Sequence, residues 1–177
     1  MKVLGKAADH GAVWAAIGVL GALSDPPRRR RWLLAGLSGP AAIGVNYVVK
    51  VAVGRERPLI PDHPRLGRAP SELSFPSGHA TSSFAAATAL GRVEPRAHLT
   101  LLGLAIAIGV GRPYLGMHYP SDVLAGAALG LAIGSVVPGL GGAPAEERLI
   151  DLVIDANRRA RRDDASAEPA TAAARPA

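Results

Sequence analysis

The sequence predicts an all-α protein, a transmembrane bundle of about five helical spans followed by an amphipathic C-terminal helix. Hydrophobic residues make up 49% of the chain and aromatic residues only 4%, so Ala, Gly, Leu and Val supply the apolar mass. Small residues of this kind suit helices that pack closely in a membrane. One apolar run also reaches the roughly 20 residues that a bilayer span needs. Several runs are shorter, so a soluble helical bundle stays open as the alternative.

Five apolar runs define the predicted helices. In chain order they cover residues 11–23, 32–53, 79–90, 99–110 and 119–137. The first run resembles a signal peptide, but four arginines follow it directly and no Ala-x-Ala cleavage pattern precedes them. We therefore interpret the first run as a retained helix.

The distribution of arginine predicts the orientation in the membrane. Arginines are concentrated in the breaks after the first and third runs and in the C-terminal segment, so the positive-inside rule places these parts in the cytoplasm. Residues 54–77 and 111–118 then face outward, which predicts a multi-pass protein of the inner (plasma) membrane. Arg55 and Arg112 lie on the outer side and weaken the rule unless they have another function.

Three segments are predicted along the chain: a membrane-embedded domain at 1–143, an amphipathic cytoplasmic helix at 144–162 and a disordered tail at 163–177. A solvated helix packed on the bundle is the alternative for the second segment.

The absence of cysteine excludes disulfides and thiolate metal sites. The net charge of +6 permits a nucleic-acid partner, but the arginines do not gather in one stretch with interleaved aromatic residues, so we expect none. The pattern leaves the oligomeric state open.

Lys50 and Arg57 mark the outward end of the second predicted helix. They are seven residues apart, which would place both on one helix face before Pro58 ends the helix. A lysine at this depth is costly beside lipid unless it faces a polar cavity. Snorkelling of Lys50 to the interface stays open as the alternative.

The start of the third predicted helix carries a pattern typical of an anion-binding site. Ser77 and Gly78 lie where helix N–H groups lack intrahelical partners and the helix dipole favours a negative charge. Gly78 leaves room for a ligand, and His79 follows in the first turn. An N-cap serine with a chance histidine after it is the simpler alternative.

A third cluster precedes the last predicted helix. Arg112 lies six positions before His118, Asp122 lies four positions after it, and Pro120 suits the first turn of the helix. Asp122 is then placed to accept a hydrogen bond from one ring nitrogen of His118, which leaves the other nitrogen as a nucleophile. An interface loop with a buried ion pair is the alternative.

Together the three clusters predict metal-free phosphoryl transfer through a phosphohistidine. They bring two histidines, a carboxylate and three cations to helix ends on one membrane face, and three cations suit the three non-bridging oxygens of a phosphoryl group. The sequence has no Asp/Glu cluster for magnesium and no His-Glu-x-x-His pattern for zinc. We therefore expect no metal and no other cofactor.

These clusters resemble the type 2 phosphatidic acid phosphatase superfamily, which includes membrane lipid phosphatases, soluble acid phosphatases and vanadium haloperoxidases. Its signatures are Lys-x6-Arg-Pro, Pro-Ser-Gly-His and Ser-Arg-x5-His-x3-Asp. They correspond here to residues 50–58, 76–79 and 111–122. Gly111 departs from the pattern, because the family usually has serine there. A hydroxyl contact to phosphate is lost at this position, while the backbone N–H remains.

The resemblance implies a role for each matched residue. It implies His118 as the nucleophile, Asp122 as its orienting partner and His79 as the general acid. The phosphate ligands that it implies are Lys50, Arg57, Ser77, Gly78 and Arg112. The expected protein is then a lipid phosphate phosphatase whose site faces the extracytoplasmic side.

The lipid substrate is inferred by analogy. A composition rich in Ala, Arg, Gly and Pro is typical of a GC-rich bacterium such as an actinobacterium, whose small members of this family serve cell-wall biosynthesis. A polyprenyl substrate is therefore favoured, either decaprenylphosphoryl-5-phosphoribose or a polyprenyl diphosphate. The alternatives are a phosphatidylglycerophosphate or phosphatidic acid phosphatase, a soluble acid phosphatase or haloperoxidase-like enzyme, and a non-catalytic phospholipid-binding membrane protein.

Overall fold

The computed structural model describes residues 11–59 and 71–140, together with residue 159. The chain divides into two compact units, Met1–Gly141 and Gly142–Ala177, and the helices described below belong to the first. Apart from residue 159, the predicted amphipathic helix at 144–162 and the predicted disordered tail at 163–177 lie outside the described residues. These segments and the predicted domain boundaries therefore stay predictions.

Five α-helices occupy the described part of the chain, which confirms the predicted all-α class. They are α1 (Ala12–Ser24), α2 (Arg29–Val53), α3 (Gly78–Val93), α4 (His98–Tyr114) and α5 (Pro120–Leu140). Within the described ranges the only β-type pairing is an isolated antiparallel bridge between Glu56 and Leu73. The apolar runs thus predicted the order of these helices and most of their bounds.

Two short 3₁₀ helices turn the chain at the end of the bundle where α3 finishes. Pro26–Arg28 joins α1 to α2 and Pro95–Ala97 joins α3 to α4, each starting with a proline whose fixed φ suits a first helical position. The guanidinium of Arg28 donates to the carbonyl oxygen of Val93 at 2.6 Å and pairs with the carboxylate of Glu94 at 3.4 Å. The Arg28 side chain therefore links the α1–α2 connection to the α3–α4 connection.

Helix α3 forms the centre of the bundle, since it contacts each of the other four helices. Small side chains fill its packing faces, and Ala80, Ala85, Ala86, Ala87 and Ala89 are fully buried. Large apolar side chains instead lie exposed on the surrounding helices, among them Leu20, Val48, Leu99, Ile106 and Leu124. Small residues inside and large apolar residues outside suit a lipid environment, because lipid tails can surround the exposed side chains.

Two helical stretches are long and apolar enough to cross a membrane, Pro26–Val53 and Pro120–Val137. Helix α1 is apolar but has only 13 residues, a length of about 20 Å against the roughly 30 Å of a bilayer core. The predicted count of five spans therefore stays a prediction.

Three glycines let α5 lie directly against the backbone of α3. A Cβ atom at each would approach a carbonyl oxygen of α3 or its cap far too closely: Gly126 to Ser77 at 2.6 Å, Gly130 to Thr81 at 2.4 Å, and Gly134 to Ala85 at 2.3 Å. The three glycines and the three carbonyl groups that they face both advance by four residues, about one helical turn, and in the same chain direction. The two helices therefore run parallel and begin at the same end of the bundle. The amide of Ser77 also donates to the carbonyl oxygen of Asp122 at 2.9 Å, which ties the two starting points together.

Replacing Gly130 with alanine should destabilise the bundle, because the new methyl group would force α5 away from the Thr81 carbonyl. Overpacking of this kind typically costs about 1–3 kcal/mol, so the Tm in detergent should fall by at least about 3 °C. Gly103→Ala is the matched control, since nothing lies within 4 Å of a Cβ there. Equal Tm values for the two variants would contradict the close approach.

Candidate active site

The predicted site residues converge where three helices end or begin. Lys50 lies in the last turn of α2, Ser77 caps α3, and His118 lies between α4 and α5. Six of the predicted residues are buried, namely Lys50, Arg57, Ser77, Arg112, His118 and Asp122. Gly78 and His79 are partly buried. The bundle thus encloses a polar cluster at the end where α3 and α5 both start.

The prediction that Lys50 and Arg57 share one helix face is wrong. Helix α2 ends at Val53, because Gly54 adopts a left-handed φ of 66° and closes the helix with a bond from its N–H to the Lys50 carbonyl. Arg57 lies in the extended segment beyond, where its amide donates to the Glu72 carbonyl at 3.2 Å. The two cations nevertheless both lie close enough to His118 to act on its charge.

The ammonium group of Lys50 holds the segment that leads into α3. It donates to three backbone carbonyl oxygens, those of Leu73 at 3.3 Å, Ser74 at 3.2 Å and Pro76 at 2.9 Å. An ammonium has three N–H donors, so Lys50 has to exchange one of these bonds in order to bind a phosphate.

Asn46 belongs to the same cluster although it was not among the predicted residues. Its side-chain amide donates to the Pro76 carbonyl at 3.3 Å and to the Thr81 hydroxyl at 2.9 Å. Asn46 lies one helical turn before Lys50, so a second polar residue at that spacing in an apolar helix was the signal that could have identified it. The two side chains together position the start of α3 against α2.

Helix α3 starts at Gly78 with Ser77 as its N-cap, which confirms the predicted helix start. Ser77 is the N-cap, and its hydroxyl accepts a bond from the Ala80 amide at 3.5 Å. Gly78 and His79 occupy the first turn, where N–H groups have no acceptor inside the helix. An anion placed there would meet these donors and the positive end of the helix dipole.

Arg57 determines which nitrogen of His118 carries the proton. A guanidinium nitrogen lies 3.3 Å from Nε2, and because arginine can only donate, Nε2 must carry the lone pair. The ring proton is then on Nδ1, which faces Oδ2 of Asp122 at 3.6 Å. The pKa of His118 is lowered to about 3, first by burial and then by the charges of Arg57, Lys50 and His79. The ring thus presents an unprotonated nitrogen throughout the neutral pH range.

Asp122 is fully buried and is held from two sides. Its Oδ2 accepts a bond from the Tyr119 amide at 2.9 Å, and its Oδ1 accepts one from the guanidinium of Arg55 at 2.9 Å. The distance of 3.6 Å between Oδ2 and Nδ1 of His118 is too long for a hydrogen bond, so the predicted bond between these two groups is absent from this structure. Arg55 was missed as a site residue, because the sequence offered no sign that it reaches a carboxylate 67 positions away.

The second histidine also has an arginine beside it. Nε2 of His79 lies 3.2 Å from a guanidinium nitrogen of Arg112. Gly111, which stands where the family usually has serine, is buried in the same last turn of α4. Two imidazoles and two permanent cations at one end of the bundle can bind a phosphoryl dianion, attack it from one side and protonate a leaving group on the other. Among the described residues, no three His, Asp or Glu side chains converge as metal ligands.

Comparisons with known proteins agree on one family. The family model of the PAP2 superfamily matches residues 31–141, a stretch that includes all three clusters. The chain is 42% identical over 137 residues to a decaprenylphosphoryl-5-phosphoribose phosphatase from Mycobacterium tuberculosis, which covers 76% of this chain and 75% of that protein. It is 30% identical over 108 residues to the undecaprenyl-diphosphatase BcrC from Bacillus subtilis, which covers 60% of this chain and 55% of that one.

A solved structure is also similar to this chain. It is the crystal structure of a transmembrane PAP2 type phosphatidylglycerolphosphate phosphatase from Bacillus subtilis, with a TM-score of 0.50 and 29% sequence identity. The match covers 78% of this chain and 82% of that chain. The likeness therefore extends over most of both molecules.

The lowered pKa of His118 predicts a pH dependence of stability. In the unfolded chain a histidine has a pKa of about 6.5, so between about pH 3 and 6.5 the unfolded state binds a proton that the folded state does not. Stability should therefore fall as the pH is lowered from 7 to 5, by an amount on the order of 1–2 kcal/mol from this group.

The measurement is the Tm in detergent at pH 7 and pH 5 for the wild type and for His118→Asn. We expect a smaller fall in the variant, since the other titrating groups are common to both proteins. An identical fall in the two proteins would show that His118 titrates normally.

Proposed function

Because the chain belongs to the PAP2 superfamily and is a lipid phosphatase, we propose that it dephosphorylates a polyprenyl-linked phosphate through a phosphohistidine on His118. The observation that carries this proposal is the setting of that ring, a neutral imidazole with Nε2 beside Arg57 and Nδ1 turned toward Asp122. Family membership makes the chain an enzyme rather than a non-catalytic lipid-binding protein.

The proposed first step transfers the phosphoryl group to the protein. Nε2 of His118 forms a bond to phosphorus while the bond from phosphorus to the leaving oxygen breaks, and the protonated imidazole of His79 gives its proton to that oxygen. Arg57 and Arg112 neutralise the charge on the non-bridging oxygens. Nε2 of His79 lies 3.2 Å from the guanidinium of Arg112, so a dianion bound beside that arginine also favours the imidazolium form of His79.

The proposed second step releases phosphate. Water attacks the phosphohistidine and breaks its P–N bond, while His79 takes the proton from the water. Inorganic phosphate leaves, and His118 returns to its neutral form. The ligands proposed to hold the phosphate in both steps are Lys50, Arg57, Ser77, Gly78 and Arg112. The steps require no metal and no other cofactor.

A polyprenyl substrate is supported by the nature of the relatives. The M. tuberculosis and B. subtilis relatives above act, by their names, on decaprenyl and undecaprenyl lipids. The site lies at helix ends, so a lipid can present its phosphate while its chain stays in the bilayer, where each buried CH₂ is worth about 0.8 kcal/mol. Phosphatidylglycerophosphate is the second candidate, because a phosphatase for that lipid has a similar structure.

The substrate class is tested by comparing kcat/KM for five compounds in one detergent. They are decaprenylphosphoryl phosphoribose, a polyprenyl diphosphate, phosphatidylglycerophosphate, phosphatidic acid and p-nitrophenyl phosphate. We expect the two polyprenyl compounds to exceed the others by at least about tenfold, because their long chains concentrate them at the site. Best turnover of a glycerophospholipid would contradict the polyprenyl proposal, and best turnover of the soluble ester would contradict a lipid substrate of any kind.

We further propose that the chain lies in the inner (plasma) membrane with the site on the extracytoplasmic side. The chain contains no cysteine, so single cysteines report topology cleanly. Leu59 is 83% exposed and lies just beyond Arg57, whereas Arg96 is exposed at the opposite end of α3. An impermeant maleimide should label Leu59→Cys in intact cells and Arg96→Cys only after permeabilisation. The reverse result would place the site in the cytoplasm.

A further inference from the structure

Arg55 reaches from the end of α2 into the start of α5. Its guanidinium donates to Oδ1 of Asp122 at 2.9 Å and to the hydroxyl of Ser121 at 3.0 Å. The arginine side chain is 42% exposed, while the carboxylate that it binds is fully buried. Arg55 therefore forms the solvent side of an ion pair whose other half is closed off inside the bundle.

The position of the Arg55 guanidinium is constrained from several directions. Its Cζ lies 4.9 Å from the centre of the Phe75 ring and 5.8 Å from that of the Tyr119 ring, distances typical of cation–π contacts. Its backbone carbonyl accepts a bond from the Ser74 amide at 2.7 Å. Arg55 thus touches the segment that leads to His79 in α3 and the segment before α5 that carries His118.

The bond to Asp122 acts on the orientation of that carboxylate. Oδ2 faces His118 at 3.6 Å and accepts from the Tyr119 amide, so Oδ1 is the end that Arg55 holds. Lys50 also interacts with the charge of Asp122, but its ammonium group donates to three carbonyl oxygens. Loss of Arg55 would leave the buried carboxylate held at Oδ2 by the Tyr119 amide but without the partner of Oδ1, so its orientation would be less constrained and it would lack a directly bonded positive charge.

We propose that Arg55 is a positioning residue that acts on His118 through Asp122. It keeps Oδ2 of the carboxylate turned toward Nδ1, so that Nδ1 keeps its proton and Nε2 stays available for attack. An exposed arginine paired with an exposed carboxylate contributes little, but here the acceptor is fully buried and the donor lies within cation–π distance of two rings. This inference rests on the proposed role of His118 as the nucleophile.

The test compares Arg55→Gln, Arg55→Lys, Asp122→Asn and the double variant Arg55→Gln/Asp122→Asn, with decaprenylphosphoryl phosphoribose or whichever lipid phosphate turns over fastest. Arg55→Gln should lower kcat about 10–100-fold and change KM less than threefold, because the residue does not contact the substrate. The kcat of Arg55→Lys should be at least about tenfold higher than that of Arg55→Gln, since lysine restores the positive charge. The double variant should be no slower than Asp122→Asn alone, because both changes remove one interaction.

Controls separate this inference from a general loss of structure. Arg96→Gln removes an exposed arginine at the far end of α3 and should leave kcat and the Tm unchanged. If Arg55→Gln does not fold, Arg55→Lys is compared with the wild type and should lose kcat rather than KM. A loss confined to KM would make Arg55 a substrate ligand, and a loss that adds fully to that of Asp122→Asn would show that it acts elsewhere. Either result overturns the inference.

The activity of His118→Ala distinguishes a failure of the Arg55 inference from a failure of the proposed function. If His118→Ala is inactive while Arg55→Gln has the wild-type kcat, only the role of Arg55 is wrong. If His118→Ala keeps the wild-type kcat, the nucleophile itself is wrong and the role of Arg55 falls with it.

Discussion

The parallel contact between α3 and α5 is the constraint on which the site depends. Glycines along α5 bring its backbone against that of α3, and the bond from the Ser77 amide to the Asp122 carbonyl aligns their first turns. The helix that offers N–H groups to an anion and the helix that orients His118 therefore begin side by side. If the two helices ran antiparallel, these N–H groups and His118 would lie at opposite ends of the bundle and could not act on the same phosphoryl group.

Two cations that act on the charge of His118, Lys50 and Arg57, are held in place by the protein backbone before any substrate arrives. Arg57 donates to the Met117 carbonyl at 2.7 Å and to the Ser71 carbonyl at 2.9 Å, so its guanidinium is positioned by backbone rather than by flexible partners. Lys50 is held in the same way by the segment before α3. Preorganised cations of this kind need little rearrangement as charge develops in a transition state. They also keep the nearby imidazole of His118 unprotonated.

Much of the fold and part of the site could be predicted from the sequence. Apolar runs located five helices, and short local patterns located Ser77 as the cap of α3 and Pro120 as the first residue of α5. The prediction that Lys50 and Arg57 share one helix face was wrong, because the left-handed turn at Gly54 ends α2 before Arg57. The contact of Arg55 with Asp122 was missed because it joins residues far apart in the chain, and spacing says nothing about such pairs.

Trapping the covalent intermediate tests the central proposal most directly. The purified protein is mixed with a lipid labelled in its terminal phosphoryl group, quenched in alkali within milliseconds, and digested for mass spectrometry. We predict an acid-labile, alkali-stable phosphoryl group on His118 that is absent from His118→Ala. Label on another residue, or full turnover by His118→Ala, would contradict a phosphohistidine at this position.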